Sequence, residues 1–485
     1  MTLKFYNTLT SQVDEFVSII PDKVTMYTCG PTVYGYPHIG NWAAYIYWDT
    51  LVRILMVNDY DVTRVMNITD VGHLTSDADD GEDKLEVGAR REGKTAWEIA
   101  KFYTDDFING MKRLGLIIPQ HITKATDFIT QQLDLVKTLK EKGYTYQTSD
   151  GIYFDTSKFP TYADFAHLNL EEQKAGARVE FNPEKRNSSD FALWKFTPTG
   201  EKRDMQWETP PDLLELTSNN ENTLMGFPGW HLECSAMALS ILGNTIDIHT
   251  GGIDHLPVHH TNEIAQSEAA TGVRFSNYWL HNNFLMVNGT KISKSIGNVY
   301  TLDDIEAKGF SLLDFRMLIL QGSYRNEGNF TFKSLEAAKN RLRNWRNVVA
   351  LRHQIHDTIQ NNNEKKISLY ATSGAIIEAI NDDLGTPSAL TIIDDAFNKM
   401  VKVNLTNIDR QSLTQLIETI DLTLGLQLMQ TTPDISDDAK AIILERKNAR
   451  IQKDWNKSDK LRDVLLSDGI VVRDSEQDSI WEYKA

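Results

Sequence analysis

The first third of the chain alternates between β-forming runs and amphipathic stretches. Lys23–Cys29 (KVTMYTC) and Asp61–Thr69 (DVTRVMNIT) are rich in β-forming residues and predict two strands. Between them, Asn41 to about Val57 predicts a helix, because its apolar residues recur along one face. That face consists of Tyr45, Trp48, Leu51, Val52 and Leu55. A strand, a helix and a second strand in this order favour a parallel sheet.

The same pattern resumes after an interruption. Trp97–Leu114 predicts a helix, and Asn244–His249 (NTIDIH) predicts a strand that leads through a Gly-Gly turn into a helix carrying Glu263. The sheet is therefore expected to be split by an insertion over roughly 120–225. Three segments inside the insertion are predicted to be loops: Gly151–Asp155 (GIYFD), GEKRDMQWETPPD and SNNEN.

After Asn298 the pattern is helical almost throughout. The predicted helices are Leu312–Gln321, Phe332–His356, Leu369–Asp382, Thr386–Val403, Arg410–Leu428 and Asp437–Trp455. The expected fold is thus α/β: a split parallel sheet with an insertion, followed by an all-α helical bundle and a small C-terminal domain.

Composition narrows the class of protein. A chain of 485 residues predicts two to four domains, and its 41% apolar and 24% charged residues are ordinary for a globular protein. Apolar runs stay shorter than the roughly 18 residues that a membrane helix needs, and the N-terminus lacks the pattern of a secretory signal. Two cysteines so far apart do not suggest a disulfide framework. We therefore expect a cytoplasmic protein whose cysteines bind metal or do chemistry.

Charge is uneven along the chain. The net charge of −17 argues against binding polyanions over the whole surface. However, Lys440–Arg462 holds eight Lys or Arg against three Asp or Glu. A second basic cluster consists of Lys333, Lys339, Arg341, Arg343 and Arg346. Such patches, with Trp455 and Trp481, are candidates for contact with RNA. The alternative for the patches is a solvated helix face, and the alternative for the tryptophans is packing in the core.

Both cysteines lie in unusual surroundings. Cys29 belongs to MYTCGPTVYGYPHIGN and Cys234 to GFPGWHLECSAM. In a third segment His259 and Glu263 are four residues apart, which places them on one face of a helix. Two sulfurs, one imidazole and one carboxylate make a plausible tetrahedral zinc set. The alternatives are a buried cysteine acting as a small apolar residue and a histidine in the core.

Three further segments suggest nucleotide chemistry. In PHIGN, Gly40 permits close approach of the backbone, and His38 can donate to a phosphoryl oxygen, or simply cap the helix. In NGTKISKSIGN, Lys291 and Lys294 can stabilise the charge of a polyphosphate, or lie in an exposed turn. In GGID, Asp254 can bind a ribose hydroxyl pair, or cap the next helix.

Together these motifs resemble a known family. HIGN with KISKS resembles the signature pair of class I aminoacyl-tRNA synthetases. GPTVYGYPHIGN, GWHLECSAM, DIHTGGID, HHTNEIAQSEA and KISKSIGN resemble cysteinyl-tRNA synthetases in particular, and the tail NARIQKDWNKSDKLRDVLLSDGIVVRD is similar to that family's C-terminal region. The resemblance implies ATP-dependent ligation of L-cysteine to its cognate tRNA through a cysteinyl-adenylate. It also implies a monomer.

The resemblance assigns roles residue by residue. It implies one Zn²⁺ per subunit, held by Cys29, Cys234, His259 and Glu263. It implies ATP with Mg²⁺ at His38, Gly40, Gly252, Asp254 and Lys294. It implies cysteine binding by Cys29, Gly30, Thr69 and Trp230, with Trp230 as a wall of the pocket. The implied catalytic residues are His38, Asn41, Lys291 and Lys294.

The chain departs from the family pattern at several positions. Asn41 replaces the second histidine of HIGH, Ile292 replaces the methionine of KMSKS, and Thr261 replaces a glutamate of HHENE. After Thr69 the chain reads DVGH in place of the commoner DIDDK, which leaves contacts beyond Thr69 undetermined.

The resemblance also implies a domain plan with a Rossmann-like catalytic domain. Its parts are 1–118 (catalytic, first half), 119–224 (insertion), 225–300 (catalytic, second half with KISKS), 301–335 (stem contact), 336–430 (tRNA-binding helical bundle) and 431–485 (anticodon-binding domain). Two rivals share some of these motifs. A ligase joining cysteine to an amino sugar would not need the bundle and basic tail, and an RNA-binding regulator with a structural zinc would not need KISKS. A zinc hydrolase is less favoured because the sequence contains no HExxH motif.

Overall fold

The structure is a computed structural model that describes residues 2–72, 84–168, 183–198, 200–201, 203–215, 224–355, 366–474 and 479–484. Its helices are Ile39–Val57 (α1), Lys84–Glu92 (α2), Ala96–Arg113 (α3), Ile129–Glu141 (α4), Trp230–Leu242 (α5), Thr261–Thr271 (α6), Leu302–Ala307 (α7), Leu312–Leu320 (α8), Phe332–Ala350 (α9), Tyr370–Asn381 (α10), Thr386–Met400 (α11), Arg410–Leu424 (α12), Leu428–Thr431 (α13), Asp437–Ile451 (α14) and Trp455–Ser467 (α15). Its strands are Lys4–Asn7 (β1), Gln12–Glu15 (β2), Lys23–Thr28 (β3), Asp61–Ile68 (β4), His121–Lys124 (β5), Thr145–Thr148 (β6), Gly151–Phe154 (β7), Phe191–Phe196 (β8), Trp207–Glu208 (β9), Met225–Pro228 (β10), Ile246–Gly252 (β11), Ser276–Asn282 (β12), Leu285–Val287 (β13), Gly328–Phe330 (β14), Ile470–Asp474 (β15) and Ser479–Tyr483 (β16).

A parallel sheet with the spatial order β12-β11-β3-β4-β5 forms the centre of the catalytic region. Successive residues of β3 point to opposite faces, and both faces are covered. Met26 joins the core beneath α1, whereas Tyr27 packs with Cys234 of α5 on the other face. This confirms the predicted split α/β sheet. It also places β3 and β11 side by side, although more than two hundred residues separate them in sequence.

The insertion contains a second sheet, which the sequence analysis did not anticipate. Its strands are antiparallel in the order β6-β7-β8-β10-β9. The prediction of a loop at Gly151–Asp155 was wrong, because Gly151–Phe154 is a strand buried along its whole length. Burial on both faces removes the polar alternation that marks a half-exposed strand. The described part of GEKRDMQWETPPD is irregular apart from β9 and a 3-10 turn at Pro211–Leu213, and SNNEN lies outside the described residues.

The C-terminal half is a helical bundle as predicted, but several helices end earlier than expected. The helix predicted over Phe332–His356 stops at Ala350, and the one predicted over Thr386–Val403 stops at Met400. The helix starting at Arg410 stops at Leu424, because Gly425 adopts a left-handed conformation with φ of 63°. The predicted helix Asp437–Trp455 is two helices. Lys453 has φ of 60°, and the Asp454 side chain caps a new helix that begins at Trp455. Among the described residues, no helix has both the length and the apolar character required to cross a bilayer.

The two candidate tryptophans of the C-terminal domain differ in exposure. Trp455 is 55% exposed, whereas Trp481 is 4% exposed and belongs to the core of this domain. Five of the cations in Lys440–Arg462 form ion pairs within the chain: Lys440, Arg446, Arg450, Lys457 and Arg462. The basic patch is therefore partly neutralised by carboxylates within it and beside it.

Candidate active site and metal centre

A cavity of about 910 Å³ opens at the carboxyl ends of β3 and β11. These strands are neighbours at the point where the order of the sheet reverses, which is where open α/β sheets bind ligands. The predicted site residues that line the cavity are Cys29, Gly30, His38, Gly40, Asn41, Thr69, Trp230, Cys234, Gly252, Asp254, His259, Lys291 and Lys294. The remaining predicted residue, Glu263, is fully buried and contacts His259.

The four predicted metal ligands converge although three separate regions of the chain carry them. Cys29 follows β3 and donates its backbone N–H to Thr250 of β11, while Cys234 lies on α5. The ligand atoms of Cys29, Cys234, His259 and Glu263 all lie within 4.8 Å of one another, and all four residues are buried. His259 belongs to a π-helical turn, Leu256–His260, so the regular helix begins only at Thr261. The expected proximity of His259 and Glu263 nevertheless holds.

The charges of this cluster fit a cation. Hydrogen bonding to Cys29 lowers the pKa of Cys234, while burial raises the pKa of Cys29. Burial alone would raise the pKa of Glu263, but the facing His249 and His259 hold it far below its usual range. Burial alone would lower the pKa of His259, but Glu263 and Cys234 raise it to about 10. A proton on His259 thus balances the negative charge of the Glu263 carboxylate, and a bound metal ion would supply that positive charge instead.

One oxygen of the cluster lacks a hydrogen bond. Glu263 Oε1 lies 2.7 Å from His259 Nε2, yet within the described structure it has no partner aligned for hydrogen bonding. A buried acceptor left in this way is costly unless another group satisfies it. Two sulfurs, an imidazole nitrogen and this oxygen form a donor set that suits Zn²⁺. The residues present therefore fit the predicted metal.

Histidines around the ligands were missed by the sequence analysis. They are His231, His249, His255, His260 and His281. His249 Nε2 lies 2.7 Å from Glu263 Oε2, and His260 Nε2 lies 3.3 Å from Cys29 Sγ. Such contacts fix the orientation of metal ligands. The sequence did contain a signal for these residues, because all five histidines lie within or beside the motifs GWHLEC, DIHTGG, DHLPVHH and YWLHNN.

The start of α1 fixes the protonation of His38. Its Nδ1 accepts hydrogen bonds from the backbone N–H groups of Gly40 (3.1 Å) and Asn41 (3.3 Å). The Asn41 side chain in turn accepts from the backbone N–H of His38 at 3.1 Å. Burial lowers the pKa of His38, so near neutral pH the ring is uncharged and carries its proton on Nε2. His38 is therefore both a helix cap and a potential donor in the cavity.

The HIGN and KISKS segments meet, although about 250 residues separate them. A Cβ atom at Gly40 would lie 3.0 Å from the His38 ring and 3.0 Å from Ile292 Cδ1. On the opposite wall, a Cβ at Gly30 would lie 1.7 Å from the carbonyl oxygen of Asn67, so only glycine fits there. Lys294 Nζ lies 5.8 Å from the centre of the Tyr34 ring. The lysines are thus on the same cavity as His38.

Trp230 and Thr69 line the cavity beside the predicted metal ligands. The Trp230 ring packs at 4.5 Å from the His259 ring, and Thr69 Oγ1 donates to Glu233 Oε2 at 2.9 Å. Glu233 is fully buried, and the sequence analysis did not predict it as a site residue. Its position directly before the predicted ligand Cys234 could have indicated it. Asp254 is exposed to the cavity from the turn after β11.

Solved structures with this fold are aminoacyl-tRNA synthetases. The LeuRS–tRNA–LeuAMS ternary complex of Agrobacterium radiobacter matches with a TM-score of 0.59 at 12% identity, covering 86% of each chain. Methionyl-tRNA synthetase of Mycobacterium tuberculosis matches with a TM-score of 0.58 at 14% identity, covering 84% of this chain and 91% of that one. At such low identity these matches show the fold alone. The class of protein that this fold and its paired signature motifs define is the class I tRNA synthetase.

Sequence comparison narrows the class to one family. Residues 15–340 match the family model of the class I (C) tRNA synthetase catalytic domain, and residues 432–481 match the anticodon binding domain of cysteinyl-tRNA ligases. The cysteine–tRNA ligase of Treponema denticola is 40% identical over 99% of this chain and 100% of its own length. Cysteine–tRNA ligase 1 of Burkholderia lata is 41% identical over 98% of this chain and 96% of its own. The chain belongs to the cysteine–tRNA ligase family.

Proposed function

We propose that this protein ligates L-cysteine to its cognate tRNA in two steps. The carboxylate of cysteine attacks the α-phosphorus of ATP, which gives cysteinyl-adenylate and pyrophosphate. The terminal ribose hydroxyl of the tRNA then attacks the acyl carbon and releases AMP. The observation that carries this proposal is a single cavity of about 910 Å³ lined by both cysteines, His38 and Lys294.

Activation in this proposal depends on positioning and charge. Transfer at phosphorus requires little covalent chemistry from a protein, so stabilisation of the phosphates is the main task. His38 donates from Nε2 to a phosphoryl oxygen, while Lys291 and Lys294 neutralise charge as pyrophosphate departs. Asp254 binds the ribose, and Gly40 and Gly252 allow the nucleotide to approach the backbone, with Mg²⁺ accompanying ATP. Asn41 contributes indirectly, because its side chain holds the backbone of His38.

Selection of cysteine is assigned to the metal side of the cavity. Cys29, Cys234, His259 and Glu263 would hold one Zn²⁺, which would supply a soft Lewis acid that prefers the sulfur of cysteine to a hydroxyl and favours its thiolate form. Trp230 walls the pocket beside His259, and Gly30 leaves space for the amino acid. Thr69, held by Glu233, lies near the substrate amino group.

Recognition of tRNA is assigned to the C-terminal half. We retain the proposed domain plan, with the stem contact at 301–335, the helical bundle at 336–430 and the anticodon-binding domain at 431–485, which contains the matched residues 432–481. The exposed Trp455 ring is available for base stacking. We retain the expectation of a monomer. The two cysteines are unpaired thiols, which supports a cytoplasmic setting.

The decisive experiment combines metal content with cysteine-dependent pyrophosphate exchange, for the wild type and Cys234→Ser. We expect the variant to lose its zinc and most of its cysteine-dependent exchange. Ser240→Ala, an exposed position on the same helix, is the matched control and should retain both. Exchange that does not depend on cysteine, or ligation of cysteine to an amino sugar but not to tRNA, would reject the proposal.

A further inference from the structure

Tyr36 lines the cavity and contacts a second exposed aromatic ring, Phe102, and the activation chemistry uses neither. Tyr36, two residues before His38, lines the cavity and is 51% exposed. Phe102, on α3, is 45% exposed. The centres of the two rings lie 6.2 Å apart, and their planes meet at 76°. Each ring therefore presents a face in a different direction.

The rings are held in place from behind. Tyr103 is buried and packs edge-on against both, at 5.1 Å from Tyr36 and 5.1 Å from Phe102. The first turn of α3 is anchored by the Asp204 carboxylate, which accepts the backbone N–H of Ala96 at 3.0 Å. Large apolar rings that are kept rigid and exposed beside a binding cavity mark a contact surface.

Cations lie beside these rings, and Lys94 lies over one face of Phe102. Lys94 Nζ lies 5.1 Å from the centre of the Phe102 ring and also contacts Glu92 at 3.1 Å. Lys291 and Lys294 line the same cavity as Tyr36. Exposed aromatic rings interleaved with lysines suit single-stranded nucleic acid, because each base has a stacking face and each phosphate a negative charge.

We propose that Tyr36 and Phe102 form a stacking platform for the unpaired nucleotides at the 3′ end of the tRNA. The inference rests on the proposed function, since the terminal ribose must reach the adenylate inside the cavity. The nucleotides just before it must then cross the mouth, where these rings lie. Because the ring planes are nearly perpendicular, two successive bases stack on different rings.

Binding of intact tRNA and of tRNA lacking its unpaired 3′ nucleotides tests this platform. We expect Tyr36→Ala and Phe102→Ala each to weaken binding of intact tRNA by about fivefold to 150-fold, the usual value of one stacked base. The truncated tRNA should bind equally to the wild type and both variants. An equal loss for both tRNAs, or no loss for either, would overturn the platform.

Conservative and distant substitutions serve as controls. Tyr36→Phe and Phe102→Tyr keep the rings and should bind intact tRNA like the wild type. Tyr370, a 40% exposed ring in the helical bundle, is the distant control. Any effect of Tyr370→Ala should be the same for intact and truncated tRNA.

The outcome can be separated from failure of the proposed function. If the rings bind the adenine of ATP instead, the alanine variants will raise the KM for ATP in pyrophosphate exchange as much as the KM for tRNA, which would overturn the platform. If the wild type shows no cysteine-dependent exchange, the proposed function fails. The binding comparison between the two tRNAs still decides whether the rings contact the 3′ end.

Discussion

Arg316 and Asp49 form a fully buried ion pair between residues 267 positions apart. Asp49 lies on α1, the helix that His38 caps, and Arg316 lies on α8. Arg316 Nε also donates to the carbonyl oxygen of Leu424 at the end of α12, at 2.7 Å. Burial alone would raise the pKa of Asp49, but Arg316 and Arg53 hold it below its usual value. The pair therefore fixes α1 against α8 and the end of α12.

Removing one partner should be strongly destabilising. We expect Asp49→Ala to lower the free energy of unfolding by about 3–5 kcal/mol, because it leaves the buried guanidinium of Arg316 without its counter-charge. Chemical denaturation followed by fluorescence measures the change. Asp105→Ala removes an exposed partner of Lys101 and should leave the midpoint of the unfolding transition unchanged. If the two variants unfold at the same denaturant concentration, the stabilising role of the Asp49–Arg316 ion pair is contradicted.

Lys294 should act mainly on the reaction of ATP. We expect Lys294→Ala to lower the kcat of cysteine-dependent pyrophosphate exchange by roughly 10²–10³-fold, as for loss of one group that stabilises developing charge. The KM for cysteine should stay close to that of the wild type. Lys308→Ala, an exposed lysine outside the cavity, is the matched control. A loss confined to the KM for cysteine would reassign Lys294 to the amino-acid side.

Removal of metal should abolish most of the discrimination against serine. Treatment with a chelator, followed by exchange assays with cysteine and serine, gives the selectivity ratio before and after. We expect the ratio to fall to the roughly 10–200-fold that pocket shape alone provides, and to recover when Zn²⁺ is restored. A metal-free enzyme that still separates the two amino acids as well as before would refute the assignment of selectivity to this centre.

Local patterns predicted the elements whose sequence signal is strong. The β3–α1–β4 unit was predicted because the periodicities of apolar residues in helices and strands differ clearly. The four metal ligands were predicted because cysteine and glutamate in distinctive motifs favour few kinds of site. Strand β7 was missed because burial on both faces hides its period. His249 and Glu233 were missed because their roles depend on partners that only the folded chain brings near.

Asp70 is a buried carboxyl beside the proposed amino-acid site, and it follows Thr69 in sequence. It accepts hydrogen bonds from the backbone N–H of Thr126 at 2.9 Å and from its hydroxyl at 2.7 Å. Burial raises the pKa of Asp70 from 3.8 to about 6, and the hydrogen bonds of Thr126 offset this only in part. The folded protein therefore binds this proton more tightly than the unfolded chain does.

Stability should consequently fall as pH rises through the interval between these two pKa values, and the loss is complete above about pH 6. Asp70→Asn cannot ionise and its amide can keep both contacts with Thr126, so its advantage over the wild type should grow by about 2 kcal/mol between roughly pH 4.5 and pH 7. Thermal unfolding of both proteins across this range measures the difference. Asp127→Asn, at an exposed neighbouring position, should follow the wild-type curve. If the difference in stability between Asp70→Asn and the wild type stays constant with pH, Asp70 ionises as freely in the folded protein as in the unfolded chain.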